Sequence, residues 1–323
     1  MQKLPKNFRE KLEKIYSKEE LNIIKKWFST KKRPTIFRIN TSKSNFEEIK
    51  DNLEKNNLKI KKIPFLTNWY ILENWKEKDL WKLNIFLEWK IYIQWITSQI
   101  PVELIDIPKN FENFKALDLT AAPWWKTSQL SAKMWNLWEI IANEKNTIRL
   151  EKLKFTIKRQ EAKNVKILKN DANKLKEIFK KEEFDVIIAD LPCSAEGRIN
   201  LNLEKTYAYL EKPWLNKRNY KIQQEILKNT IWLLKKWWQL IYSTCTLDPR
   251  ENEWIVNDLL FRFPDLELQD ISNFFENDEL KKISKKWIKT YEKLIFKKEI
   301  INSYRILPSE TTEWFFVAKF IKK

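Results

Sequence analysis

Leu117-Asp118-Leu119-Thr120-Ala121-Ala122-Pro123-Trp124-Trp125-Lys126-Thr127 is the stretch on which the fold turns. An apolar run ends on a small-residue turn, and a helical pattern follows. Where a strand passes into a helix like this, glycines normally let backbone N–H groups meet a ligand at the helix N-terminus. Two adjacent Trp side chains would fill that space. With glycine at 124 and 125 the segment reads DLTAAPGGKT, a tight ligand-cradling loop. Lys235-Lys236-Trp237-Trp238-Gln239-Leu240 behaves the same way: with glycines it becomes a helix end, a turn and a strand. Glycine just past a helix is ordinary C-cap chemistry, and a Trp pair is not.

Composition widens the anomaly. The 323 residues hold one glycine, Gly197, beside 17 Trp. Average usage of about 7% predicts roughly 23 glycines in a chain of this length. The expectation is therefore that most Trp letters stand at glycine positions, as happens when UGA codons read as glycine are translated as Trp. The competing reading is a Trp-rich protein that stacks nucleobases.

Outward from this loop, short apolar runs alternate with helical patterns, the signature of a parallel sheet with crossover helices. Strands are expected at 116–119, 139–142, 165–168, 185–189, 239–243 and 315–320, with helices at 127–134, 147–161, 173–179, 220–234 and 251–261. Residues 263–312 are polar and hard to read, with a strand suggested at 266–268. The predicted class is α/β: a Rossmann-like sheet with helices on both faces, preceded by a small α+β domain. That domain, expected over 1–85, carries helices at 8–16, 18–28 and 46–55 and strands at 35–40 and 59–65. It reads as a small basic RNA-binding unit or as a packing appendage, with the Rossmann-like domain over 86–323.

Composition also excludes chemistry. There is no His, so His-ligated metals, His general bases and His-dependent triads are out. Two Cys and no apolar leader in the first 20 residues point to a reducing, cytoplasmic setting rather than a disulfide framework. No run of about 20 apolar residues suggests a membrane span. A net charge of +18 suits an anionic partner, nucleic acid first, and equally a merely solvated basic surface; charge alone does not separate the two. In an open parallel sheet, ligands bind beyond the carboxyl ends of the strands, which makes the residues there informative. The runs ending Ile188-Ala189-Asp190-Leu191-Pro192-Cys193-Ser194 and Tyr242-Ser243-Thr244-Cys245-Thr246 would bring both cysteines to one cleft. A single cysteine is more often buried and inert; two at neighbouring strand ends argue for chemistry.

These segments resemble RNA cytosine-C5 methyltransferases of the Nop/Sun family, which use S-adenosylmethionine (SAM). The resemblance extends to Phe37-Arg38-Ile39-Asn40-Thr41, to the segment Lys90 through Gln99, and to Glu313-Trp314-Phe315-Phe316-Val317-Ala318-Lys319. Trp89, Trp95 and Trp314 stand where such sequences commonly carry Gly. It implies that Thr120, Ala121, Ala122, Pro123, Trp124, Trp125 and Lys126 wrap the methionine end of SAM. Glu144 would accept from the ribose hydroxyls, for which a carboxylate offers several acceptor sites, with an acid favoured by a helix dipole as the lesser alternative. Asp171 would take the adenine amino group, or else cap the following helix.

The resemblance also implies the chemistry. Carbon 5 of cytosine is a poor nucleophile until a thiolate adds at carbon 6. Cys245 would be that nucleophile, and Cys193 would assist product release. Asp190 would hold the base near N3 and its amino group and border SAM. Lys126 would contact the pyrimidine and favour the thiolate. With no His, the carbon-5 proton would leave to Cys193 or a water. The target base would have to be splayed out of structured RNA. The expected partner is ribosomal or transfer RNA, bound by a monomer with no metal and no membrane contact. One departure is Ala195, where the family usually has Gly. The rival readings are a SAM methyltransferase acting on another nucleic-acid target, and a basic RNA-binding or assembly factor with an inactive core.

Overall fold

The computed structural model describes residues 3–73, 77–108, 113–122, 125–211, 214–286, 288–292 and 294–323. The chain forms two compact units, Arg33–Ala172 and a second made of Met1–Lys32 with Asn173–Lys323. Helices α1 (Lys6–Ile15) and α2 (Lys18–Ser29) open the chain and belong to the second unit. Helix α1 buries Phe8, Leu12 and Ile15, the one-sided spacing of a packed helix. Ser17 starts α2 through a capping box: its hydroxyl accepts from Glu20 N (3.3 Å), and Glu20 Oε2 accepts from Ser17 N (2.8 Å).

In the first unit, β1 (Thr35–Ile39), helix α3 (Phe46–Lys55), β2 (Lys59–Lys62), β3 (Trp69–Glu73) and β4 (Ile91–Ile93) build an antiparallel sheet in the order β2-β3-β1-β4. Its core is Phe37, Ile39, Ile49, Leu53, Tyr70 and Leu72 with their neighbours. Strands β3 and β4 were not expected from the sequence. They are short, and Trp interrupts the apolar pattern next to each. The same unit contains β5 (Lys115–Asp118), α4 (Trp125–Lys133), β6 (Glu139–Asn143), α5 (Thr147–Arg159) and β7 (Val165–Leu168). Strand β6 pairs in parallel with β5 on one side and β7 on the other, as the alternating pattern predicts.

Arg38, in the middle of β1, is buried and donates to Ser128 Oγ (3.3 Å) and Gln160 Oε1 (2.8 Å). Asn40 donates to Gln160 O (3.0 Å). The arginine-and-asparagine stretch thus bonds to α4 and to the end of α5. The helix expected at 173–179 is a 3₁₀ turn, Ala172–Glu177. Its buried residues, Ala172 and Leu175, are three apart, the face period of the tighter helix.

In the second unit, β8 (Phe184–Asp190), helix α6 (Trp214–Thr230) and β9 (Leu234–Thr244) form a parallel crossover. Helix α7 (Glu253–Arg262) and β10 (Leu266–Leu268) follow, then β11 (Ser284–Lys286), the hairpin β12 (Thr290–Tyr291) and β13 (Leu294–Ile295), β14 (Tyr304–Ile306) and β15 (Phe315–Lys322). Strand β15 runs antiparallel to β9, with β14 and then β11 beyond it. Residues 263–312, opaque in sequence, therefore supply the antiparallel edge.

The Trp237–Trp238 pair does not follow a helix as expected. It lies inside β9, where the register with β8 slips between Phe184 and Val186. Trp237 sits there at φ 67°, and Trp89 and Trp135 have φ 62° and 47°. Left-handed backbone is rare for bulky side chains and routine for glycine.

Candidate active site

In the first unit the predicted cofactor residues collect at the carboxyl ends of β5, β6 and β7. Buried Asp118 ends β5 and accepts from Thr127 Oγ1 at 2.7 Å, tying the strand end to the first turn of α4. Leu119 and Thr120 form the turn after β5, and Ala121 N donates to Asn143 O (2.8 Å). Asn143 Nδ2 in return donates to Leu119 O (3.0 Å). Ala122 O accepts from Arg149 Nη2. Pro123 and Trp124 lie outside the described residues. Trp125 begins α4, and Lys126, one residue on, is buried.

Glu144 follows β6 and is also buried; its Oε1 accepts from Asn146 N (2.7 Å). Its Oε2 has no hydrogen-bond donor among the described residues and lies 3.4 Å from Arg149 Nε. A buried carboxylate oxygen without a donor is costly unless something supplies one, so Glu144 fits a ligand hydroxyl. Asp171, beyond β7, pairs with Lys145 at 2.5 Å.

The second unit holds the cysteines. Asp190 ends β8 opposite Ser243 of β9, and Ser243 Oγ donates to Asp190 Oδ1 (3.1 Å). Past these strand ends the two chains stay together, with Cys193 Sγ 3.5 Å from Cys245 Sγ. Both thiols are free; Cys245 is buried and Cys193 partly so. Contact with the Cys245 sulfur, then burial, raises the Cys193 pKa well above the usual thiol range, so Cys193 keeps its proton at neutral pH.

Several residues hold this pair that sequence reasoning did not single out. Gly197 N donates to Cys245 O (2.9 Å), and Gly197 O accepts from Trp27 Nε1 (3.1 Å). Ser194 Oγ meets Thr246 Oγ1 at 2.5 Å, bridging the two loops. Glu251 Oε2 accepts from Ser194 N (3.0 Å) and Gln223 Nε2 (2.9 Å), and Gln223 Nε2 also reaches Pro192 O (2.9 Å). Burial is the main reason the Glu251 pKa is pushed up to about 8, with Asp248 and Glu196 adding repulsion against the Ser194 hydrogen bond.

Buried Arg305 donates to both oxygens of buried Glu253 (2.6 and 2.5 Å), to Tyr16 Oη (2.7 Å) and to Leu247 O (3.1 Å). That fixes the backbone two residues beyond Cys245. The Cys245 sulfur is the leading reason the Arg198 guanidinium holds its proton more tightly than usual. Tyr209 Oη is buried without a hydrogen bond among the described residues, and its ionisation is opposed by burial and then by Glu196 and both cysteines. The run Asp248-Pro249-Arg250-Glu251-Asn252-Glu253 carried the available signal, three acids directly after a strand-end cysteine.

Ala195 has φ 53°, so the alanine that replaces the family's usual glycine adopts the left-handed conformation. This costs about 1 kcal/mol. Among the described residues no group of three or more His, Cys, Asp or Glu could hold a metal, and no helix is long and apolar enough to cross a membrane.

The parallel strands and their crossover helices make a Rossmann-like α/β fold, with a small-residue loop and a buried acid at strand ends of the first unit and a cysteine pair beyond strand ends of the second. The solved structures agree. A methyltransferase homolog protein from Pyrococcus horikoshii is 26% identical with a TM-score of 0.79, covering 99% of this chain and 96% of that one. NSun6 from the same organism, solved with SFG, is 22% identical with a TM-score of 0.78, covering 99% and 98%, and shares the fold.

The family described as 16S rRNA methyltransferase RsmB/F matches residues 106–321, and the chain belongs to it. This bears out the resemblance to Nop/Sun RNA methyltransferases. Among curated relatives, ribosomal RNA small subunit methyltransferase F of Aliivibrio salmonicida is 28% identical over 257 residues, 77% of this chain and 53% of the relative. That of Vibrio parahaemolyticus is 29% identical over 282 residues, 85% of this chain and 57% of the relative. The chain thus spans about half the length of these relatives.

Proposed function

We propose that this protein transfers a methyl group from SAM to carbon 5 of a cytosine in small-subunit ribosomal RNA, through a covalent Cys245 adduct. It acts as a cytoplasmic monomer, and residues 1–85 contribute RNA binding. The observation that carries the reading is the 3.5 Å contact between the Cys193 and Cys245 sulfurs on loops beyond adjacent parallel strands. A methylase of exocyclic amines has no use for such a pair.

Thr120 through Lys126 hold the methionine end of SAM, Glu144 the ribose through its open oxygen, and Asp171 the adenine. When bound, SAM supplies an electrophilic methyl group. Cys245 as thiolate bonds to carbon 6, and the displaced π electrons make carbon 5 enamine-like. Asp190 steadies the base at N3 and the amino group, and Lys126 contacts the ring. After carbon 5 takes the methyl group, its proton leaves to water, and the electron pair re-forms the 5,6 double bond as the sulfur departs. Cys193, held protonated beside Cys245, donates its proton to the departing thiolate and takes one back from water, and Cys245 loses that proton to solvent before the next turnover.

With labelled SAM and ribosomal RNA, Cys245→Ala abolishes 5-methylcytosine formation, read by nucleoside mass spectrometry. Cys193→Ala accumulates a covalent protein–RNA adduct on denaturing gels. Full methylation by the first variant, or no adduct with the second, overturns the assignment.

We also propose that most of the Trp positions are glycine in the native protein. Trp89, Trp135 and Trp237 in left-handed backbone support this. Peptide mass spectrometry of protein purified from its source tests it: Trp at these three positions refutes it.

A further inference from the structure

We propose that Gln223 and Glu251 are positioning residues for the release step: they clamp the backbone on either side of Cys193 and so keep its sulfur against that of Cys245. This rests on the reading of the chain as a cytosine methyltransferase that works through a Cys245 adduct.

Cys193 lies just beyond the end of β8, outside any strand, and Pro192 before it has no N–H to give. One pair of side chains grips this stretch on both sides. Gln223 Nε2, on α6, donates to Pro192 O (2.9 Å), and Ser194 N donates to Glu251 Oε2 (3.0 Å). The pair is itself joined, because Gln223 Nε2 also donates to Glu251 Oε2 (2.9 Å). Tyr242 of β9 braces both members from the strand that leads to Cys245. Its hydroxyl donates to Glu251 O (2.5 Å) and, at longer range, to Gln223 Oε1 (3.2 Å). The amide nitrogen and the carbonyl oxygen of Gln223 are thus both engaged, and turning the amide over would set donor against donor and acceptor against acceptor. Through three side chains, the strand that carries Cys245 dictates where Cys193 sits.

Stability does not account for the clamp. Gln223, Tyr242 and Glu251 are fully buried. Burying an amide and a carboxyl is costly, and apolar residues of similar size can pack a core as stably. What the hydrogen bonds add is direction. That direction is also selective, since Cys245 is held by other means. Its carbonyl accepts from Gly197 N (2.9 Å), and Asn252 Nδ2 donates to Thr246 O (2.8 Å). Loosening the clamp therefore shifts Cys193 and leaves the nucleophile in place. In the release step the bond from the Cys245 sulfur to carbon 6 breaks, the sulfur keeps that electron pair, and the Cys193 proton settles on it. The proton crosses a sulfur–sulfur contact of 3.5 Å, whereas formation of the adduct needs no such contact.

The test follows the covalent adduct on denaturing gels through single turnovers with labelled SAM and ribosomal RNA. Gln223→Leu forms the adduct within about twofold of the wild-type rate and releases it about tenfold more slowly, the cost of a partial misplacement, so adduct accumulates. Tyr242→Phe, which keeps the ring packed on Phe316 and removes only the brace, slows release about threefold and carries the test if Gln223→Leu does not fold. Glu251→Leu behaves as Gln223→Leu, and Glu251→Gln, which restores the acceptor, recovers release to within about threefold of the wild type. Release at the wild-type rate overturns the clamp, as does a fall in formation that matches the fall in release, the mark of a merely structural loss. Amide exchange read by mass spectrometry is independent of activity: in Gln223→Leu the amides of 191–196 exchange roughly tenfold faster while those of 245–248 stay protected. Equal loosening of both segments overturns the clamp. Adduct with Cys193→Ala and none with Gln223→Leu overturns the clamp alone; no adduct with either overturns the covalent reading, and the role in release falls with it.

Discussion

Gly197→Ala is the sharpest perturbation of the cysteine loops. A Cβ at position 197 would lie 2.8 Å from Cys245 O, 2.9 Å from Trp314 O and 3.0 Å from Trp314 Cβ. Atoms at such distances must move. Two of the three are backbone carbonyls, one on the proposed nucleophile and one just before β15, so no flexible side chain can yield instead. Nor can the glycine retreat, because its N–H is bonded to Cys245 O and its carbonyl to Trp27 Nε1. Overpacking of this kind costs about 1–3 kcal/mol. At about 2.1 cal/mol/K per residue of unfolding entropy, 2 kcal/mol corresponds to a Tm loss of roughly 3 °C.

The same displacement pushes Cys245 relative to Cys193. A misplacement of about 1 Å in a reacting group can cost on the order of a hundredfold in rate, so even a partial shift should cost about tenfold. Thermal denaturation reads the first effect and single-turnover methylation the second. Methylation must fall further than the folded fraction does. A variant whose Tm stays within a degree of the wild type, with full single-turnover rate, would refute the view that Gly197 is where the two cysteine loops are spaced.

Two further outcomes follow from the neighbouring groups. Glu251, with its pKa pushed up to about 8, keeps a proton in the folded protein that the unfolded chain releases near pH 4.5. Stability should therefore be fullest below the ordinary carboxylate range and fall as pH rises toward 8, by up to about 1.4 kcal/mol per unit. Glu251→Gln, which keeps an acceptor for Ser194 N and Gln223, should flatten the wild-type decline in Tm between pH 6 and 9; parallel curves would count against it. Trp237→Gly should stabilise by about 1 kcal/mol by relieving left-handed backbone, since the exposed ring buries little. Trp237→Ala should gain less, and an equal gain from alanine would place the strain elsewhere.

What could be read from the sequence was whatever is local. The turn after β5, the acid after β6 and the cysteines beyond β8 and β9 each announce themselves within about ten residues. A strand-end residue in a parallel sheet has few places to go. The supports are different in kind. Lys11 reaches Glu196 and Asp248, and Arg305 reaches Glu253 and Tyr16, across separations that no periodicity encodes. Strands β3 and β4 escaped because they are short and have Trp at or beside their ends.

Those Trp residues carry a structural message of their own. A chain built from ordinary Trp would place them where rings pack, and Trp27, Trp69 and Trp314 do lie in the core. Trp135 and Trp237 are largely exposed and occupy left-handed backbone. Neither core packing nor nucleobase stacking requires that conformation, whereas a bulge or a helix end does require it of the backbone. Trp135 stands at the end of α4, and Trp237 at the register slip of β9. The backbone thus bends as a glycine would at sites chosen by topology, and the residue type written there is incidental to the bend.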